Sequence, residues 1–430
     1  MARRTYGIFW RWHFLAGAIA SPLLAIVALT GALYAFQPEI ERALQSSLAV
    51  VEPHGRPQAL GEIERALPAG CVARAYFFPG SPDHSWRVVC ADDREFAIDP
   101  YRVRVLGRWK ANGVFAAVRG LHWEMLLGKP GRIAIEWATS WAVMLMLSGA
   151  YLWWPRGRSG GAWWPRRGVR RSARQRLADL HAVLGAYALP CLLAIATTGL
   201  FMTAGAGEGR WRRLHDNAVE QLYEHPPSSK VVPGAPRISA QQALAASGLL
   251  DGAHTVSMLL PTTPEGAFAL FGFDERFGKP SLGAMVYVDA YSGARLGELY
   301  WRDLSALGKL DRAGYSIHVG ALLGLPGRVL ACLASLVLAA LAVTGPWMWW
   351  KRRPRGGLGI PPRAQRVPRA LLVAIAALGW LLPTVGWTLI VVLAIELGRW
   401  TQRRWLAPRS ITTVAQNAAS NATSPSTPTW

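Results

Sequence analysis

Acidic residues are scarce in this chain. There are 26 Asp+Glu against 47 Lys+Arg over 430 residues, a formal net charge of +21, although only 17% of residues are charged. No nucleic-acid recognition motif accompanies that excess, and it is confined to short runs. Arg156 to Arg176 holds eight arginines and no acid, and Lys351 to Arg369 holds seven basic residues and no acid. Arg3, Arg4 and Arg11 add to the charge near the first residue, whereas segments 37–118 and 204–316 are nearly balanced. Basic short loops beside apolar runs are the signature of loops held in the cytoplasm, so the charge points to a lipid bilayer and away from nucleic acid.

Cysteine is equally sparse, with four in all. The absence of a Cys-x-x-Cys-His run excludes a covalently attached c-type haem. Cys191 and Cys332 fall in apolar runs as small packing residues. Cys71 and Cys90 fall in the first balanced segment, where an oxidising compartment would permit a disulfide. Hydrolase triads, phosphate-binding glycine loops and dinucleotide fingerprints are missing too. The histidines lack the short spacing and neighbouring cysteines of a zinc site.

Apolar sequence is plentiful, at 51% of residues. Runs at about 13–36, 132–154, 178–203, 327–350 and 370–397 reach the roughly 18 to 20 residues that cross a bilayer. The first is too long for a removed signal peptide and lacks a small-residue cleavage site, so it reads as a retained anchor. Trp pairs at 153–154, 163–164 and 349–350 sit beside the basic loops, as interfacial aromatics do.

The chain is also written twice. His13, Gly17, Pro22 and Thr30-Gly31 reappear 168 positions later as His181, Gly185, Pro190 and Thr198-Gly199. Leu121-His122 through Gly128-Lys-Pro-Gly-Arg132 reappears 196 positions later as Ile317-His318 through Gly324-Leu-Pro-Gly-Arg328, and each copy leads to a Trp-Trp helix end. The predicted fold is an α-helical integral membrane protein of duplicated two-helix units with two external α+β modules.

In order, the chain reads as a first transmembrane helix (1–36), external module one (37–118), and a His-bearing pre-helix with the second transmembrane helix (119–155). A basic loop (156–176), the third transmembrane helix (177–203) and external module two (204–316) follow. Then come a second His-bearing pre-helix with the fourth transmembrane helix (317–351), a basic loop (352–369), a C-terminal membrane segment (370–398) and a polar tail (399–430). The tail composition predicts disorder. The membrane segment, with Pro383 and Gly386 near its middle, reads as one kinked span or a hairpin. Strands are expected to end around Asp99 and Asp289. Ser292-Gly293 predicts a tight turn in the second copy, and Arg102-Val103 predicts a different one in the first. Residues 239–247 predict a short helix capped by Ser239.

Histidines duplicated at helix ends suggest ligands facing each other across a pseudo-twofold axis, His13 with His181 inside and His122 with His318 outside. Intramembrane ionisable residues point to function. Imidazole nitrogen binds haem iron, and Gly17 and Gly185, one helical turn on, leave room for a flat macrocycle. Arg132 and Arg328 are placed for propionate carboxylates or lipid phosphates. His54, His84, His215, His225 and His254 lack repeat partners and read as ordinary surface residues.

At these motifs the chain resembles the PepSY-associated transmembrane-helix family over nearly everything up to about Arg355. The resemblance implies periplasmic PepSY-like modules, a bacterial inner-membrane location, and haem b, two per chain, on bis-histidine ligands at His13, His122, His181 and His318. It implies electron transfer to a ferric siderophore or similar chelate, with a cytoplasmic or quinol donor because no flavin or nicotinamide site is visible. Two other readings stay open: a non-catalytic membrane anchor binding a periplasmic partner, and a permease for iron chelates.

Overall fold

The computed structural model describes residues 2–110, 113–154, 164, 172–203, 205–206, 222, 225–249, 254–274, 283–354, 357, 359 and 369–406. His215, most of the two basic loops and the tail beyond 406 lie outside these residues. The first half of the chain forms α1 (Ala2–Tyr34), α2 (Gln37–Leu44), α3 (Ser46–Ala49) and α4 (Leu60–Ala66). Strands β1 (Ala73–Phe78), β2 (Trp86–Cys90), β3 (Glu95–Asp99) and β4 (Arg104–Trp109) follow, then α5 (Gly113–Glu124) and α6 (Lys129–Trp153). The second half forms α7 (Ala173–Phe201), α8 (Ala240–Ser247), β5 (His254–Leu259), β6 (Phe268–Asp274), β7 (Ala284–Val288) and β8 (Arg295–Tyr300). It continues with α9 (Ala306–His318), α10 (Gly324–Arg352), α11 (Arg369–Leu381) and α12 (Pro383–Leu406).

Among the described residues, four helices, α1, α6, α7 and α10, are long and apolar enough to cross a membrane. They close into a bundle in which α1 packs on α6 and α10, and α7 packs on the same two. Alanines line the contacts, including Ala20, Ala28, Ala138, Ala142, Ala334 and Ala342, all buried. Small residues let helix backbones approach closely where lipid removes the hydrophobic drive for association. Large apolar side chains such as Ile19, Leu29, Ile133, Leu333 and Val343 face outward, as a lipid-facing surface requires. The fifth apolar run is two helices that break between Leu381 and Pro383, with Gly379 packed against Gly386. α12 lies on α6, where Thr384 Oγ1 donates to Ser140 Oγ at 3.1 Å and Trp137 Nε1 donates to Thr388 Oγ1 at 3.0 Å.

The two external segments contribute four strands each. Their strands form one eight-stranded antiparallel sheet in the order β4-β3-β2-β1-β5-β6-β7-β8. β1 pairs with β5, Tyr76 opposite Met258, which joins the two four-strand meanders. One face carries the buried core of Tyr76, Phe78, Val88, Ile98, Val256, Met258, Leu270 and Val286, covered by Leu60 and Ile63 of α4 and Leu244 of α8. α8 forms as expected: Ser239 Oγ accepts from Gln242 N, the Gln242 side chain returns the bond, and Gly248 ends the helix in the left-handed conformation. Cys71 and Cys90 form a disulfide that ties the start of β1 to the end of β2.

The turn at Arg102-Val103 is not the different turn expected. Asp99 Oδ1 accepts from the N–H groups of Tyr101 and Arg102 at 3.0 and 3.2 Å, and Asp289 Oδ1 accepts from Tyr291 and Ser292 at 2.9 and 2.7 Å. Val103 has φ +52° and Gly293 φ +74°. The aspartate sets this turn, and Val103 is held in a conformation that β-branched residues rarely adopt.

Candidate functional site

His13 stands in α1 and His181 at the matching place in α7, while His122 and His318 close the short helices α5 and α9. Two sharp reversals insert the latter pair into the bundle. After α5 the chain turns through Met125 and Leu126, with φ of 51° and 59°, and through Gly128 at 64°. A Cβ on Gly131 would overlap the backbone of Glu124, and one on Gly327 would overlap the backbone of Gly320. The repeated Gly-x-Pro-Gly-Arg motif is thus a close crossing that only glycine permits.

Each histidine then meets a Ser/Thr-Gly dipeptide on a neighbouring helix. His13 Nδ1 lies 2.9 Å from Ser148 Oγ, and His181 Nδ1 lies 2.9 Å from Thr344 Oγ1. Those hydroxyls donate to the carbonyls of Leu145 and Leu341 at 3.1 and 3.4 Å. Having given their hydrogens away, they accept from the imidazoles. His122 Nδ1 donates to Val27 O at 3.0 Å and lies 3.2 Å from Thr30 Oγ1, and His318 Nδ1 donates to Ile195 O at 2.8 Å. A carbonyl only accepts, so the His122 and His318 rings carry their proton on Nδ1 and keep the Nε2 lone pair. That second-atom hydrogen bond is how proteins orient metal-binding imidazoles.

The glycines of the dipeptides make room for the rings. A Cβ would lie 3.0 Å from His122 Cε1 at Gly31, 2.9 Å from His318 Cε1 at Gly199, and 3.2 Å from His13 Cε1 at Gly149. At Gly345 it would lie 3.7 Å from His181 Cε1. Thr30-Gly31 and Thr198-Gly199 were visible in the sequence as a repeated dipeptide, and in the fold their glycines seat histidines from other helices.

The structure brings together both expected pairs. At the sheet end of the bundle the His122 and His318 ring centroids are 6.0 Å apart. Two imidazoles sharing one ion need about 6 Å, since each metal–nitrogen bond spans about 2 Å and each nitrogen lies about 1 Å from its ring centre. At the far end His13 and His181 line one cavity of about 510 Å³ together with Gly17, Gly185 and Leu341. Its size falls within the range of small-molecule sites. Gly17 and Gly185 have Leu145 and Leu341 as their nearest side chains, each 3.7 Å from an added Cβ. Along α1 the two levels, at His13 and Val27, are separated by about 21 Å.

Arg132 and Arg328 each meet an acidic residue of the chain. Arg132 Nε is held 3.3 Å from Glu124 Oε2, and Arg328 is ion-paired with Glu39. Among the described residues, no group of three His, Cys, Asp or Glu is placed to hold a metal ion. Each histidine pair offers two imidazole nitrogens. Sequence reasoning missed Glu136, buried within α6, whose Oε2 accepts from Gly205 N at 2.9 Å while Oε1 has no hydrogen-bond partner.

The model of the PepSY-associated TM region family matches residues 10–352. The chain belongs to this family and is a membrane protein. No curated protein matches it.

Proposed function

We propose that this member of the PepSY-associated TM family is a bacterial inner-membrane b-type haem protein that carries electrons across the membrane and reduces a periplasmic ferric chelate. The observation that carries the reading is the set of four Nδ1-anchored histidines at two levels of one apolar bundle, His122 beside His318 at one level and His13 and His181 on the wall of one cavity at the other. Haem b, when bound, supplies a one-electron Fe(III)/Fe(II) couple at each level. His13 with His181, and His122 with His318, hold the iron. Ser148, Thr344 and the carbonyls of Val27 and Ile195 keep each Nε2 unprotonated and aimed. The bundle excludes water, which together with axial ligation sets the potentials.

Placing the sheet in the periplasm is supported by the Cys71–Cys90 disulfide, which suits an oxidising compartment, and by basic loops at the opposite helix ends. The substrate takes up one electron per iron, and hard oxygen ligands hold the resulting Fe(II) less firmly than Fe(III). On the sheet face opposite the main core, the Arg87 guanidinium lies 5.2 Å from the rings of both Phe77 and Trp109. That patch supplies aromatic surface for a chelate, its Arg87 guanidinium shared with Glu95 Oε1 at 3.0 Å. With no dinucleotide fingerprint in the sequence, the electrons come from a cytoplasmic partner or a quinol.

The direct test is a proteoliposome with reductant enclosed on the far-end side and a ferric siderophore at the sheet side, with Fe(II) trapped by a chromogenic chelator. Fe(II) appearing with the wild-type chain but not with His13→Ala or His318→Ala supports the reading. Equal rates in all three overturn it in favour of a non-catalytic anchor.

A further inference from the structure

The far-end cavity is apolar over most of its wall but not at its rim. Among the described residues, no Asp or Glu lines it, and the permanently charged side chains that do are Arg174 and Arg352. Arg174 lies in the first turn of α7, seven residues before His181. Arg352 is the last residue of α10, eight beyond Thr344, the partner of His181. At about 1.5 Å per residue, both stand some 10 to 12 Å from the histidine level, toward the same end of the bundle. The Arg352 guanidinium reaches across to α1, 5.4 Å from the Trp10 ring and 5.8 Å from the Phe14 ring, both of them cavity walls. One of its N–H groups reaches Gly359 O at 3.4 Å, which leaves most of its five donors for other use.

Among the described residues, neither Arg174 nor Arg352 has an ion pair with an acid, in contrast to Arg132 with Glu124 and Arg328 with Glu39. The arginines expected from sequence to bind carboxylates are therefore already neutralised within the chain. Two others stand at the open edge of an apolar slot with no carboxylate to meet. A flat apolar molecule bearing two carboxylates on one edge complements that slot.

We infer that Arg174 and Arg352 are the carboxylate-binding residues of the far-end cavity, gripping the two propionates of the macrocycle held by His13 and His181. This rests on the haem reading above. It fixes the orientation of the group, carboxylates toward the basic end of the bundle and ring edge toward the interior, and makes the two arginines positioning residues. Charge-assisted guanidinium–carboxylate bonds set the geometry as well as the affinity.

The experiment uses the full-length His122→Ala chain, which retains only the far-end pair, purified from haem-limited cells. It is titrated with haem b and with haem b dimethyl ester, whose carboxylates are uncharged. The chain is expected to bind haem b about tenfold or more tighter than the ester, as loss of charge-assisted bonds implies. Adding Arg174→Gln and Arg352→Gln should bring the two ligands to equal affinity and lower the midpoint potential of bound haem, since two cations that favour the reduced, more negative site are gone. Equal affinity for haem and ester with both arginines present overturns the inference, and needs no arginine variant to fold. So does undiminished discrimination in the double variant, which would leave the arginines to lipid headgroups. If neither ligand binds even the wild-type chain, the haem reading itself fails.

Discussion

At the residue scale, the site is four copies of one arrangement: an imidazole, an acceptor for Nδ1, and a glycine that clears space for the ring. The histidines were legible because duplication repeats them at fixed offsets. Their acceptors were not, because Ser148 lies 135 residues from His13 and Ile195 lies 123 from His318, and only folding sets them together. Replacing His122 or His318 should remove one haem per chain and leave the other, as counted by pyridine haemochrome. Gly199→Ala places a Cβ 2.9 Å from the His318 ring. It should displace that ring and weaken haem retention at the sheet-side pair by about 10–100-fold, the usual effect of disturbing a ligand's support.

A second residue-scale prediction concerns Asp289. Burial opposes its ionisation, but the N–H groups of Ser292, Tyr291 and Lys230 outweigh burial and hold its carboxyl below the usual value of 3.8. A depressed folded value means that its stabilisation is fully present above the unfolded value of about 3.9 and is lost as pH falls through the folded one. Asp289→Ala should cost about 1–3 kcal/mol at neutral pH. Thermal unfolding in detergent should show the gap between variant and wild type closing below about pH 4. The same holds at Val103: residues 102–103 carry no turn signal of their own, because Asp99 fixes the chain path through the N–H groups of Tyr101 and Arg102.

At the element scale, the short helices α5, packed on α1 and α6, and α9, packed on α7, carry a histidine inward. The Gly-x-Pro-Gly-Arg motif was legible as a turn, but its closeness was not, since that depends on Gly131 meeting Glu124 and Gly327 meeting Gly320. Gly327→Leu should open this crossing, lower the unfolding temperature and remove the sheet-side haem while the far-end haem stays, as resolved by redox titration. The apolar spans and the α8 cap could be read directly, because hydropathy runs and Ser-x-x-Gln caps are local signals. The β1–β5 pairing could not, because it joins strands separated in the chain by two membrane helices.

At the scale of the whole molecule, one sheet sits at one end of one bundle, and the two histidine levels lie along the bundle's length. Chelate reduction and haem retention should therefore separate. Arg87→Ala with Trp109→Ala should slow reduction of the ferric chelate several-fold with an unchanged haem count. Loss of haem in that variant would tie the patch to the bundle instead. The claim on which everything else depends is the haem itself. A dithionite-reduced minus oxidised spectrum of the detergent-purified chain, with a pyridine haemochrome count, addresses it first. The account predicts a sharp b-type α band and about two haems per chain; a colourless protein from haem-replete cells would contradict it.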